Sequence, residues 1–406
     1  MSIAAKRLVA PVMAAMLFGL AACGSESTSG GGGSDAKGPI KFAILTERTG
    51  AVATLGFDKE YGVKAGVALA TNGTNEVAGR KIEFVVGDNR SEVGQSSTVA
   101  RQIIQRDRPS VVFGFNTSDA AVATAPIMRD AKVIDIYTIA ATSELSNFSP
   151  TTFRTSRDST QEATVGAEVV KIKSGETFQV LAPDYAYGQA TAKAWQKLLT
   201  DAGGKPVADP LYAPLVANDY TSVVQRVRSN RPDKLIVVTF ASASGPLLWK
   251  TITSAGLDNE MSIYTLLPQK PGREGMGRIA QKVKFFAIYD PNLARTEQNK
   301  QFIEEFKKIA PSGKAPDIYA GDAGVAGQLA VEALKKTNGD TDPVKLQEAM
   351  EGLKAEGLKG PYEVRAEDHI FLGTFYEARV KEDFSAELVE ELPMEASEVP
   401  TVPPKD

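Results

Sequence analysis

The chain has 406 residues but only one cysteine, one histidine and two tryptophans. With Cys23 alone, no disulfide closes within one chain and no cysteine-rich metal site forms. With His369 alone, a multi-histidine metal site is excluded, and histidine acid–base catalysis has a single candidate, beside Asp368 in what reads as a turn. Neither charge dominates, with 46 Lys and Arg against 50 Asp and Glu. No basic stripe interleaved with aromatics points to nucleic acid. A phosphate-binding Gly-x-x-x-x-Gly-Lys stretch is missing, as is a Gly-x-Ser-x-Gly elbow around Ser118. The first strand is followed by Thr49-Gly50 and then Gly56, which does not fit a dinucleotide-binding Gly-x-Gly-x-x-Gly. These absences predict no cofactor, no metal, no nucleic-acid partner and no enzymatic activity.

What is present begins with an export signal. Lys6 and Arg7 precede an apolar run from Leu8 to Ala22, broken only by Pro11 and Gly19 and ending in Leu20-Ala21-Ala22-Cys23. A short basic start, an apolar core and small residues before a cleavage point make a signal peptide, not a spanning helix. About 15 residues is short for a bilayer core. The stretch resembles a bacterial lipoprotein signal with its lipobox, which implies that Cys23 becomes the lipid-modified first residue of the mature chain. Residues 23–38, rich in Gly and Ser, read as a flexible tether. The expected location is therefore the cell membrane, lipid-anchored and facing the extracytoplasmic side.

The folded part starts near Ile40 and is too long for one comfortable core, so two domains are expected. Apolar strands and amphipathic helices alternate along it, predicting an α/β fold with doubly wound parallel sheets. The series pauses at Ser156 to Thr160 and restarts. Pro206 to Tyr212 reads as a strand, and Pro268 to Gly277 as a Gly- and Pro-rich loop. Residues 391–406, acidic and Pro-rich, read as a tail that wraps the surface or is disordered.

The stretch Val111 to Thr142 carries the first functional signal. A strand ends in Phe113-Gly114, a small polar corner Asn116-Thr117-Ser118-Asp119 opens a helix, and the next strand ends in Ala140-Ala141-Thr142. Open α/β sheets bind ligands at the carboxyl ends of their strands. The two corners thus read as half of a small-molecule site, although the same residues also suit plain helix caps.

The order of these corners resembles the branched-chain amino acid (Leu/Ile/Val) type of periplasmic binding protein, the substrate-binding component of ABC importers. The residues that carry the resemblance are Thr49-Gly50 before Gly56, Tyr61-Gly62 with Ala65-Gly66, Val86-Gly87-Asp88, Val112-Phe113-Gly114 with Thr117-Ser118, Ala140-Ala141-Thr142, Tyr187-Gly188, and Ala213-Pro214-Leu215 before Asp219-Tyr220. It covers about residues 39 to 385. The resemblance implies a type I periplasmic-binding-protein fold: two Rossmann-like lobes, three crossovers near 157, 289 and 358, and an interlobe cleft. Lobe 1 would be 39–157 plus 290–357, and lobe 2 would be 158–289 plus 358–390. It also implies a monomer that closes on a small-molecule solute and passes it to ABC permease and ATPase subunits.

By the same resemblance, Ser118, Ala140 and Thr142 hold the ligand's head group, flanked by Thr117, Asp119 and Ala141, while Tyr187 closes from the second lobe. Three positions depart from the leucine-type pattern: Leu55 replaces a tryptophan-like side chain, Ala241-Ser242 replace a tyrosine, and Gln269 lies where an acid would meet the ligand's ammonium. An unpaired buried ammonium is costly. Asp119, Glu47 and Glu274 are the candidate replacements, and Arg48 and Arg157 are candidate cleft cations. The solute is therefore open between an amino acid, an aromatic or aliphatic acid lacking the amine, and a neutral amide or urea. A sensor of the same fold is the competing role.

Overall fold

The computed structural model describes residues 38–405. The expected signal peptide, Cys23 and nearly all of the tether lie outside the described residues. Two sheets organise the rest. The first joins Glu76–Val77, Arg80–Asp88, Ile40–Thr46, Val111–Phe113, Ile134–Tyr137 and Thr152–Arg154 in that spatial order. All of its pairs are parallel except the first. Strand Ile40–Thr46 thus lies between 80–88 and 111–113, so strand order reverses at its carboxyl end. That reversal opens a crevice there.

The second sheet runs Ala386–Pro393, Thr374–Val380, Lys284–Ala287, Ser262–Leu266, Lys234–Val237, Thr177–Pro183 and Lys205–Pro206. Its centre is parallel, and its first two pairings are antiparallel. The two sheets make a two-lobed α/β molecule. The chain leaves the first sheet after Arg154 and leaves the second after Ala287. It returns by way of a small three-stranded sheet, Lys354–Gly357, Gly360–Val364 and Phe371–Leu372.

Central strands read as continuous apolar runs because both of their faces are covered. Phe42, Ile44, Val111, Phe113, Ile134 and Ile136 are buried, as are Leu235, Ile236 and Val237 in the second sheet. Each such side chain contributes about 1.5–3 kcal/mol of transfer free energy. Two glycines allow the close approaches that set the site. Helix Ala53–Ala70 crosses helix Ala320–Lys336 so closely that a Cβ on Gly66 would lie 2.0 Å from the Gly324 carbonyl oxygen. A Cβ on Gly56 would lie 2.0 Å from the Glu47 carbonyl oxygen, so only glycine lets the helix start against the strand end.

Three local expectations change. The stretch 268–277 holds a helix, Lys270–Met276, with Pro271 in its first turn, where proline's missing N–H costs nothing. The strand expected over 206–212 is two fragments, Lys205–Pro206 and Leu211–Ala213, because Pro206 and Pro210 cannot donate to a ladder. The strand Ala386–Pro393 runs through Glu391, Leu392 and Pro393, and the residues after it are docked. There Arg365 donates to the carbonyls of Val399 (2.8 Å) and Ala396 (3.2 Å), and Val402 N–H donates to Asp368 (2.9 Å). His369 lies in a turn with φ of 58°, its ring stacked on Phe153 at 4.1 Å and its Nδ1 on the Thr152 carbonyl at 2.9 Å. No helix of the described residues is long and apolar enough to cross a membrane.

One buried acid gives this fold a pH signature. Asp135 is fully buried in strand Ile134–Tyr137 and accepts from Thr152 Oγ1 at 3.0 Å. Burial pushes its pKa from 3.8 up to about 7. Between those values the folded chain holds a proton that the unfolded chain has released, so stability falls as pH rises through the window and levels above it. This group contributes a slope of up to about 1.4 kcal/mol per pH unit. Asp135→Asn should remove that slope, read as a stability difference from the wild type that grows between pH 4 and 7 in urea unfolding.

Candidate functional site

The strand ends of both sheets face each other across the cleft. From the first sheet come the corners after Thr46, Phe113 and Tyr137. From the second come the corners after Pro183, Val237 and Leu266. Between them lies an inner pocket of about 20 Å³, walled by Asn116, Thr117, Ser118, Ile139, Ala141 and Leu55 on one side and Tyr185, Tyr187, Thr239 and Ala241 on the other. Arg157 and Tyr319 complete it. An outer cavity of about 340 Å³ adjoins it and shares Thr239, Ala241 and Tyr319 as a common wall.

A buried ion pair forms one wall of the inner pocket. Arg157 sits 2.8 Å from Glu162 through Nη2 and 3.0 Å through Nε, and its Nη1 donates to the Ile139 carbonyl at 3.2 Å. Tyr187 donates its hydroxyl to the same carboxylate at 2.9 Å. Burial opposes the charge on Arg157, but Glu162, Tyr187, Tyr319 and Asp322 together more than offset it and the guanidinium is held above its ordinary range. Burial raises the Glu162 pKa, against the opposing effects of Arg157 and the Tyr187 hydroxyl. A guanidinium has more N–H donors than these partners use, so Arg157 has capacity left for an anion in the pocket.

The corner after Phe113 is held differently from the reading above. Its backbone donors are taken by the protein's own carboxylate: Asn116 N–H, Thr117 N–H and the Thr117 hydroxyl donate to Glu47 at 3.2, 3.4 and 3.2 Å. Lys59, fully buried, lies beneath. It donates to the Leu45 carbonyl at 2.8 Å and to the Gly114 carbonyl. Burial drives its pKa down to about 7, with Glu47 opposing the shift. Ser118 Oγ accepts from the Thr142 N–H at 3.2 Å, tying the two corners together.

The residues expected at the site divide accordingly. Leu55, Thr117, Ser118, Ala141, Tyr187 and Ala241 line the inner pocket, and Ala241, Ser242 and Gln269 line the outer cavity. Ala140, Thr142 and Asp119 are not among the residues lining either one. Ala140 gives its carbonyl to Arg154 Nη2 at 2.7 Å, and Thr142 caps the next turn. Asp119 accepts from the Ala186 N–H at 3.2 Å, and Gln269 donates to Asp58 at 2.7 Å; both bonds cross the cleft. Of the two arginines weighed, Arg157 lines the pocket, whereas Arg48 is half exposed and pairs with Glu60. Glu274 is exposed. Tyr185, Thr239 and Tyr319 were missed. Tyr185 had a signal, two residues before Tyr187 in the same strand-end loop, and Tyr319 had none.

Two parallel sheets meeting at their carboxyl ends around a pocket, with hydrogen bonds across the cleft, make a two-lobe solute clamp. The family model described as periplasmic binding protein matches residues 39–385. The chain belongs to the periplasmic binding protein family. Among the relatives of this binding protein is the Leu/Ile/Val-binding protein homolog 6 of Brucella abortus (strain 2308), 25% identical over 347 residues, covering 83% of this chain and 86% of that protein. A solute-binding protein of an ABC transporter from Rhodopseudomonas palustris BisB5, solved with 3,4-dihydroxy benzoic acid, has a TM-score of 0.77 at 25% identity and covers 88% of this chain and 98% of that one. An ABC-type branched-chain amino acid transporter structure from Rhodopseudomonas palustris CGA009 has a TM-score of 0.73 at 26% identity, covering 90% and 100%.

The Glu47–Lys59 pair is testable in this binding protein. Lys59→Met leaves Glu47 buried without its cation and should cost about 3–5 kcal/mol in urea unfolding. Adding Glu47→Gln to Lys59→Met should recover part of that loss, and a double-mutant cycle measures how much.

Proposed function

We propose that this chain is the extracytoplasmic solute-binding component of an ABC importer, and that its solute is a small carboxylate without an amine. The single observation that carries the ligand class is Arg157, a charged guanidinium facing a pocket with no Asp or Glu in its lining. Among the described residues, the acid paired with Arg157 is Glu162, which also accepts from Tyr187. Glu47, the other buried acid nearby, is engaged by the 116–117 corner and Lys59. A carboxylate entering here meets the guanidinium N–H groups that Glu162 and the Ile139 carbonyl leave over, whereas an ammonium would meet a like charge and pay for desolvation without a partner.

The named relatives bracket this choice. One carries a Leu/Ile/Val-binding name and another was solved with an aromatic acid. The absence of an acid from the pocket lining favours the second kind. Cys23, as a lipid-modified residue, would keep the clamp on the extracytoplasmic face beside permease and ATPase subunits, with residues 23–38 as the tether.

The test is a thermal-shift screen of the purified protein followed by calorimetry, since a ligand of the folded form raises the melting temperature. Matched sets are decisive: an acid, its amide and its α-amino analogue. The acid should bind best. Arg157→Lys keeps the charge beside Glu162 but loses the planar fork, and it should weaken acid binding by about tenfold or more. An α-amino acid binding more tightly than its deaminated analogue would sink the reading.

A further inference from the structure

The inner pocket and the outer cavity differ in size and in chemistry. About 10–15 Å³ is enough for one water-sized group, so the 20 Å³ inner pocket takes a head group and nothing more. The 340 Å³ outer cavity is of another order. Enclosed apolar space of about 150 Å³ holds one benzene, so this cavity exceeds the needs of a single ring. Its walls are flat and rigid: Trp249, Phe240, Pro246, Pro268 and Pro271. Such surfaces suit a planar apolar body. At the shared wall stands Ala241, whose small side chain leaves the passage between the two open.

Of the buried polar atoms without a hydrogen-bond partner among the described residues, one belongs to a residue lining the outer cavity. Thr265 Oγ1 belongs to the outer cavity, with Thr265 1% exposed. Buried polar atoms are rarely left unpaired, so Thr265 Oγ1 marks a place where a ligand hydroxyl supplies the missing bond. The charges give the ligand a direction. Arg157 is at the inner end, and Asp317 lines the outer cavity, where Lys314 also lies. Behind that rim Asp58 is fully buried, and burial together with Asp317 holds its carboxyl well above the usual range.

We infer that the solute is an acid whose body is larger than one benzene ring, with the carboxylate in the inner pocket and the planar body, bearing a hydroxyl for Thr265, in the outer cavity. This inference rests on the carboxylate reading above and adds the size and polarity of the rest of the molecule. Ala241 keeps the passage to that body open, and Trp249 offers it a face to stack on.

The experiment is calorimetry on the purified protein with four probes: benzoate, 2-naphthoate, 6-hydroxy-2-naphthoate and 2-naphthamide. The two naphthoates should bind at least about tenfold more tightly than benzoate, from the added apolar area buried, and the hydroxylated one more tightly still. Ala241→Phe narrows the passage and should weaken binding of both naphthoates by at least about tenfold. Thr265→Val should erase the gain from the hydroxyl only. Benzoate binding as tightly as 2-naphthoate overturns the inference and leaves the carboxylate reading standing. If 2-naphthamide binds and 2-naphthoate does not, the carboxylate reading falls and the two-compartment body survives. Silence toward all four probes, from protein shown to be folded, overturns both.

Discussion

A guanidinium removed from water keeps its charge, and the cost of burying it falls only where acceptors are held against it. Arg157 and Glu162 meet that condition where the chain passes from one lobe to the other, and the rest of the cleft is arranged around them. Glu162 belongs to helix Ser159–Val170 and Arg157 to the passage before it, so one short segment supplies both charges. Tyr187 reaches the same carboxylate from the helix that begins at Ala186, which orients its ring along the pocket. Replacing such a pair by apolar residues is often neutral for stability. Retaining it here gives the pocket a fixed positive wall.

The first-sheet side of the cleft solves the opposite problem. Helix starts expose backbone donors, and anions are drawn to them. Here Glu47 takes the Asn116 and Thr117 donors that lead into the helix, so part of this corner is engaged by the protein's own carboxylate. The proposed anion site accordingly lies at Arg157. Closure is made with modest bonds, Ala186 to Asp119, Gln269 to Asp58, and Lys270 N–H to Asp317 at 2.8 Å. Each is of the strength that a bound solute can tip either way.

The sequence made the scaffold readable because strand and helix periods are local. Strands that end in small residues, 113–118 and 139–142, were visible as corners for the same reason. What the pocket holds was less readable. Arg157 looked like any loop arginine, because only packing decides where a long side chain points. Glu47 could not be placed, since the donors it meets are some seventy residues away in the chain and adjacent only through the pairing of strands 40–46 and 111–113. Tyr319 enters the pocket from a helix start with no motif around it. The Gly- and Pro-rich 268–277 stretch misled in the other direction, because Pro271 is as compatible with a first helical turn as with a loop.

The docked end of the chain has a mechanical meaning. After leaving the second sheet at Pro393, the chain runs back to the edge of the first. There Asn147 donates to the Val402 carbonyl at 2.7 Å, and Lys405 reaches the Ser143 and Glu144 carbonyls. The lobes are thus joined by the crossing segments and also by this strap. Like a door hung on several pins along one edge, they can swing but resist twisting, so the two halves of the cleft meet again in the same register each time they shut.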